Sequence, residues 1–321
     1  TCSSPPFRDE FSSPWPRAME SVQLTVSTSS GNLSFEAHPT WSIADVKAKV
    51  TASIGVPPEQ QRLLPICALD HHSPGLEDAE PLAACLLPEG ARALELRLVH
   101  QTSEQVEWIR RVQMEAHALE FAPDRVRDNL LVLLAAVGAK GEALQYASDR
   151  LKAEKSLVLA AVKNSGCALA YAAQELQDDG RFVLKAVEHN AGAMHMAPMK
   201  LLGIREFLLE AVQRNQAALA CLPKHRQEDP EFVKEAMKES GLALRDVQDG
   251  MRGDKEIVRA AIQQNGLALE YASPELQADS EMVQEAIHQN GLALQHAAEA
   301  LRANRNCVLE AVQEDGMALA F

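Results

Sequence analysis

The stretch "QQNGLALEYA" beginning at Gln263 returns as "HQNGLALQHA" beginning at His288, 25 residues on. Steps of 25 from Val112 land on Val137, Val162, Val187, Val212, Met237, Ile262, Ile287 and Val312, all apolar. Five residues ahead of these anchors runs a second apolar series: Leu157, Phe182, Phe207, Phe232, Ile257, Met282 and Cys307. Seven after them runs a third: Leu119, Leu144, Leu169, Met194, Leu219, Leu244, Leu269, Leu294 and Leu319. A period of this length marks stacked supersecondary units, each too small to bury its own apolar face.

Local chemistry divides the unit. Asp179, Asp229, Asp254 and Asp279, with Asn129 and Asn304 in register, are expected helix N-caps, while Glu154 and Ile204 depart from the pattern. The helix after each cap carries one stripe, in one unit Leu157, Val158, Ala161 and Val162. Gly141, Gly166, Gly241, Gly266, Gly291 and Gly316 are expected to close it in the left-handed conformation. A second helix of about two turns follows, with Ala268, Leu269 and Ala272 as its stripe. Proline then breaks it, at Pro274 or one position earlier at Pro123, Pro198 and Pro223. The repeated Ala161, Ala186, Ala211, Ala236, Ala261, Ala286 and Ala311 allow close backbone approach. The expectation for residues 107–321 is an all-α solenoid of about eight units, roughly 80 Å long at about 10 Å per helix layer.

The pattern VLxAVxxNGxALxxAS resembles a repeat family known only as a domain of unknown function, and the resemblance implies no activity. The array stops within a unit at Phe321, so it is expected to continue in a longer protein.

Residues 20–100 read differently. "VQLTVS" and "NLSFEA" alternate as a hairpin, "SIADVKAKV" is a helix capped by Ser42, and "ALELRLV" is a closing strand. With Ile43, Val46, Lys47 and Val50 on the helix, and Gly55, Pro57, Pro58, Gln60, Gln61, Arg62 and Leu63 after it, the segment is similar to ubiquitin-like domains. That resemblance implies an α+β ubiquitin-like (β-grasp) fold. It also implies a partner-binding patch at Leu64, Glu95 and Arg97, where the last two replace the His and Val of the family's usual patch. No Gly-Gly tail follows, so the module is an integral one. Residues 1–19 are expected to be a disordered or untranslated-type leader with Met19 as a candidate start, and residues 101–106 a short linker.

The remaining chemistry narrows the function. Residues 1–100 carry 7 Lys/Arg against 12 Asp/Glu, and residues 101–321 carry 24 against 33. Both regions are acidic, which argues against nucleic acid and anionic membrane as partners. The six cysteines form no CxxC pair and read as free thiols, which points to the cytoplasm, with the nucleus also open. His71-His72 reads as a loop, and Met194, His195, Met196 and Met199 as core packing rather than a soft metal site. Neither Cys167 nor Cys221 sits in a catalytic signature, and the basic Pro223–Arg226 cluster reads as a solvated face. The expectation is a non-catalytic scaffold or adaptor with no cofactor and no metal. Its head would dock to ubiquitin or proteasome pathway components and its solenoid would bind a second protein. The alternative is the accessory region of a larger ubiquitin-pathway enzyme.

Overall fold

The computed structural model describes residues 22–29, 31–38, 40–65, 76–82 and 93–320. The leader, Cys2, Cys67, Cys85, and the His71-His72 pair lie outside the described residues. The chain divides into two compact units, 1–110 and 111–321.

The first unit holds a four-stranded mixed sheet. Strands β1 (Val22–Thr28) and β2 (Gly31–Ala37) form the hairpin, β3 is Gln61–Pro65 and β4 is Ala93–His100. The order is β2-β1-β4-β3, with β1 parallel to β4 and the other two pairings antiparallel. Helix α1 (Ile43–Ile54) starts in a capping box, where the Ser42 hydroxyl accepts from Asp45 N–H and the Asp45 carboxylate accepts from Ser42 N–H. It ends at Gly55, whose φ of 72° is the left-handed cap that favours glycine. Ile43, Val46 and Val50 bury one face of α1 against Val22, Leu24, Val26, Leu63 and Leu96. Gln61, itself buried, donates to Lys47 O, Thr51 Oγ1 and Val56 O, which ties the end of α1 to the start of β3. Helix α2 (Ser103–Met114) begins three residues after β4, so residues 103–106 of the expected linker are helical.

The second unit is mostly helical and repetitive. Its long helices are α3 (Leu130–Ala139), α4 (Lys155–Asn164), α5 (Gly180–His189), α6 (Arg205–Arg214), α7 (Pro230–Glu239), α8 (Lys255–Gln264), α9 (Ser280–Gln289) and α10 (Arg305–Glu314). Every expected Asp or Asn cap accepts a backbone N–H, and Glu154 does so as well; Ile204 does not. The stripe of α4 is fully buried at Leu157, Val158, Ala161 and Val162. Burying each such branched side chain contributes about 1.5–3 kcal/mol. Each long helix packs on the next, so the core runs through the unit as a series of equivalent layers.

Two expectations about the interior of the repeat are corrected. The second element is a six-residue 3-10 helix, such as Gly266–Tyr271, not two α-turns. Asn265 is extended (φ −152°, ψ 112°) and breaks the α-helical ladder, and its side chain accepts from Leu267 N–H. Three residues per turn then align Gly266, Leu269 and Ala272, all buried, on one face. The repeat glycines are also not left-handed: among the described residues only Gly31 and Gly55 have positive φ. Gly141, Gly166, Gly241, Gly266 and Gly291 are required for space, whereas Gly316 has nothing within 4 Å of an added Cβ. A Cβ on Gly141 or Gly291 would stand 2.5 Å from the carbonyl oxygen of Ala161 or Ala311 in the following unit. That same carbonyl accepts the N–H that ends its own helix, so it cannot swing aside.

A third element, a one-turn helix such as Pro274–Gln277, completes the unit. Here Pro274 occupies the first helical position, where its missing N–H costs nothing. Main-chain bonds join successive units: Ser148 N–H to Arg127 O (3.1 Å), Ala173 N–H to Lys152 O (2.9 Å), Ser273 N–H to Arg252 O (2.9 Å) and Ala298 N–H to Gln277 O (2.9 Å). Pro198 and Pro223 take the same position and cannot donate. In the last unit Leu319, whose counterparts are buried throughout, is 73% exposed.

Candidate interaction surfaces

The three head residues singled out from the sequence share the sheet face turned away from α1. Leu64 pairs directly with Arg97 across β3 and β4, and Arg97 and Glu95 pair with Ser27 and Thr25 of β1. Leu64 is only 2% exposed, so it offers almost no contact area, contrary to its expected part in the patch. Glu95 is exposed and Arg97 half-buried. With Thr25 and Ser34 hydrogen-bonded beside them (3.1 Å), the accessible face is polar. Still within the first unit, a cleft of 230 Å³ is lined by Glu59, Gln60, Ser103, Val106, Glu107 and Arg110.

On the repeat, the outward positions of the long helices carry ion pairs between neighbouring units. Lys255 reaches Asp279 (2.9 Å) and Glu281 (2.8 Å), Arg259 reaches Glu281 (2.8 Å) and Glu285 (3.0 Å), and Lys234 reaches Glu256 (2.9 Å). Arg205 joins Glu235 at 2.8 Å. The Lys255 ammonium holds the carboxyls of Asp279 and Glu281 below the usual carboxylate range, and Lys234 and Arg205 do the same for Glu256 and Glu235. A cleft of 440 Å³ beside this network is lined by Gln263, Glu281, Gln284, Glu285, His288 and Gln289.

The ion pairs reveal a longer period than the core does. Lys155, Arg205, Lys255 and Arg305 open every second long helix; Leu130, Gly180, Pro230 and Ser280 open the others. The first three cations reach the cap aspartates Asp179 (3.7 Å), Asp229 (3.9 Å) and Asp279 of the following helix. The interior thus repeats every 25 residues and this feature every 50. A tally of charge by repeat position could have found it; apolar anchors alone could not.

The other sequence candidates disperse. Met194 is buried, Met196 half-buried, and His195 and Met199 exposed, so the four do not converge. Among the described residues no group of three or more His, Cys, Asp or Glu side chains is placed to hold a metal. Burial pushes the thiols of Cys221 and Cys307 up, the opposite of nucleophile activation. The basic cluster is not simply a solvated face: Lys224 and His225 are exposed, but Arg226 is half-buried with its guanidinium 5.9 Å from the Phe232 ring. Arg205 lies 5.4 Å from the same ring. No helix among the described residues is long and apolar enough to cross a membrane.

Three segments, residues 129–177, 229–277 and 279–321, match a family model described as "Domain of unknown function (DUF4116)". The repeat region is similar to that family over these segments. Each begins at a cap, Asn129, Asp229 or Asp279, and takes in two long helices, so the family's unit coincides with the 50-residue period. No curated protein matches the chain.

Proposed function

We propose that the chain is a non-catalytic interaction scaffold: an α-solenoid whose outer helix faces select protein partners, joined to a ubiquitin-like head. The observation that carries this reading is the contrast between a constant interior and a variable exterior. The stripe of each long helix repeats nearly unchanged. The third and seventh positions of the unit do not: they read Leu131/Ala135, Ser156/Ala160, Arg181/Lys185, Glu206/Glu210, Glu231/Glu235, Glu256/Ala260 and Glu281/Glu285, all exposed or half-buried except Ala260, which is buried. Variation confined to one face of a repeated scaffold is what a recognition surface requires.

The parallel pairing of β1 with β4, the hairpin and the helix that follows it support the β-grasp reading of the head. Its proposed role is docking to ubiquitin or proteasome pathway components through a polar face that includes Glu95 and Arg97. The full chain should bind standard ubiquitin-interacting helices only at high micromolar affinity or worse, on the order of 10⁻⁴ M. The double variant Glu95→His/Arg97→Val should strengthen that binding. Because Leu64 is buried, Leu64→Ala should lower stability rather than remove a contact.

Cross-linking of the intact chain in cells tests the scaffold itself. Cross-links to partner proteins should concentrate on the outer positions of the long helices. Their absence from those helices, or turnover of a substrate by the purified chain, would overturn the reading.

A further inference from the structure

The outer face of α3 to α5 differs from its counterpart on α7 to α9 in a way that selects a ligand. In the second set, Arg259 of α8 faces Glu281 and Glu285 of α9, and Lys234 of α7 faces Glu256 of α8, so most of the charge is matched within the chain. The equivalent of Arg259 on α4 is Leu159, and the equivalents of Glu281 and Glu285 on α5 are Arg181 and Lys185. The charge of the clamp is reversed and its opposing charge is missing. Arg181 and Lys185 are exposed and form no ion pair among the described residues, and the same holds for Lys163 of α4. Two carboxylates at the ends of α5 are engaged elsewhere: Asp179 with Lys155 at 3.7 Å, and Glu188 with Arg214 at 3.9 Å. Like charges one helical turn apart oppose helix formation, so the local fold does not call for this pair.

The cations border apolar surface. Leu131, Leu134 and Ala135 on α3, with Leu159 and Ala160 on α4, are half-buried on the outward side. Exposed Gly138 adds no side chain to this side, and nothing lies within 4 Å of where its Cβ would be. A half-exposed aliphatic strip edged on one side by three unmatched cations is complementary to a helix with one apolar face and an acidic flank.

We infer that the α3–α5 face is a docking surface for an acidic amphipathic helix of a partner protein. Its leucine-type face would lie on Leu134, Leu159 and Ala160, and its carboxylates would meet Lys163, Arg181 and Lys185. The aliphatic strip favours such a peptide over a simple anion, which would leave the strip uncovered. The inference rests on the scaffold reading, but only for this one face.

The test uses the full chain and a labelled peptide of about 18 residues, five helical turns, with leucines spaced i, i+3 and i+4 and glutamates along one flank. Binding followed by fluorescence anisotropy should weaken at least about tenfold on Arg181→Glu/Lys185→Glu, and should weaken with added salt. The double variant is expected to fold normally, because Glu occupies both positions in three other units; an unchanged melting temperature checks this. A scrambled peptide of the same composition should bind far less. No binding of the designed peptide, equal binding of the scrambled one, or indifference to the charge reversal would each overturn the proposal. So would self-association of the chain abolished by the same reversal, which would seat a second copy on the face. None of these results touches the cross-linking test of the scaffold as a whole.

Discussion

Helices α3 to α5 and α7 to α9 share an interior and differ outside. Leu133, Val158 and Val183 in the first set and Val233, Val258 and Val283 in the second hold one buried position with interchangeable residues. On the outward side the first set presents leucine, alanine and unmatched cations, and the second an ion-pair network. The lesson is about which contacts specify the stack. Burial recurs in every layer and the glycine–carbonyl approach in four, at Gly141, Gly241, Gly266 and Gly291, whereas exposed ion pairs are worth little and can be exchanged for apolar contacts. The outer face is therefore free to diverge.

The largest expected effect concerns the shared interior. Leu144→Ala, beside α3, and Leu269→Ala, beside α8, should each cost about 2–5 kcal/mol, as buried leucine truncations do. Both residues are fully buried at equivalent positions. Exposed Glu275→Ala should stay within about 0.5 kcal/mol of the parent. Denaturant melts would break the comparison if the two leucine variants differed widely.

Next comes the spacing between layers. A Cβ on Gly266 would press on the Ala286 carbonyl, so Gly266→Ala should cost about 1–3 kcal/mol, as overpacking does. Gly138 has nothing within 4 Å of an added Cβ and sits inside α3. There Gly→Ala should stabilise by about 0.5–1 kcal/mol through backbone entropy. Opposite signs in thermal melts are the expected outcome; destabilisation at both sites would refute the close-approach account.

A smaller effect should separate the two regions by pH. In α7 to α9 the carboxyls of Glu235, Asp279, Glu256 and Glu281 have folded pKa values below their ordinary ones, chiefly through their Lys or Arg partners. A depressed carboxyl contributes stability that is present above its unfolded pKa, about 4, and lost as pH falls through the folded value. Between pH 7 and pH 3, hydrogen-exchange protection, corrected for the pH dependence of the intrinsic amide rate, should therefore fall more in residues 205–289 than in residues 130–189, where Asp178 beside Lys200 is the one carboxyl so lowered. The reverse would show that the ion pairs do not distinguish the regions.

Much of the interior was legible in the sequence because burial is periodic. The three apolar series, the Asp and Asn caps and the α4 stripe appear as expected, and only the last unit breaks the series, at half-buried Val312 and exposed Leu319. The glycines were legible as helix ends but not for their reason, since a clash with the next unit's carbonyl is a contact between layers. The 3-10 geometry was hidden for a similar cause: Ala268 and Leu269 suit either helix, and the extended Asn265 decides between them. Gln177, Gln227 and Gln277 escaped notice as well. Each turns its amide back to cap carbonyls at the end of a 3-10 helix, and Arg252 does so in their place in the α7 unit. In the head, alternation put Leu64 on the outer face, but its burial depends on neighbours that alternation does not identify.

The smallest effect gives the sharpest comparison, because it exchanges one position between the regions. Arg259→Leu installs on α8 the residue that α4 carries at Leu159. It removes hydrogen bonds to Glu281 (2.8 Å) and Glu285 (3.0 Å), yet both carboxylates are partly exposed and Lys255 still reaches Glu281. Surface pairs of this kind contribute about 0.2–1 kcal/mol each, and the new leucine regains part of that by covering apolar surface, so the net cost should be under about 1 kcal/mol. The reciprocal change, Leu159→Arg, brings a third cation toward Arg181 and Lys185 with no carboxylate to receive it. It should cost more than Arg259→Leu, and the difference should shrink as salt screens the repulsion. Equal costs at low and high salt would mean that the unmatched cations of α5 do not face the α4 position as the equivalence of the units requires. A larger cost for Arg259→Leu would mean instead that the network is integral to the stack, and that the outer face is less free to diverge than the core comparison implies.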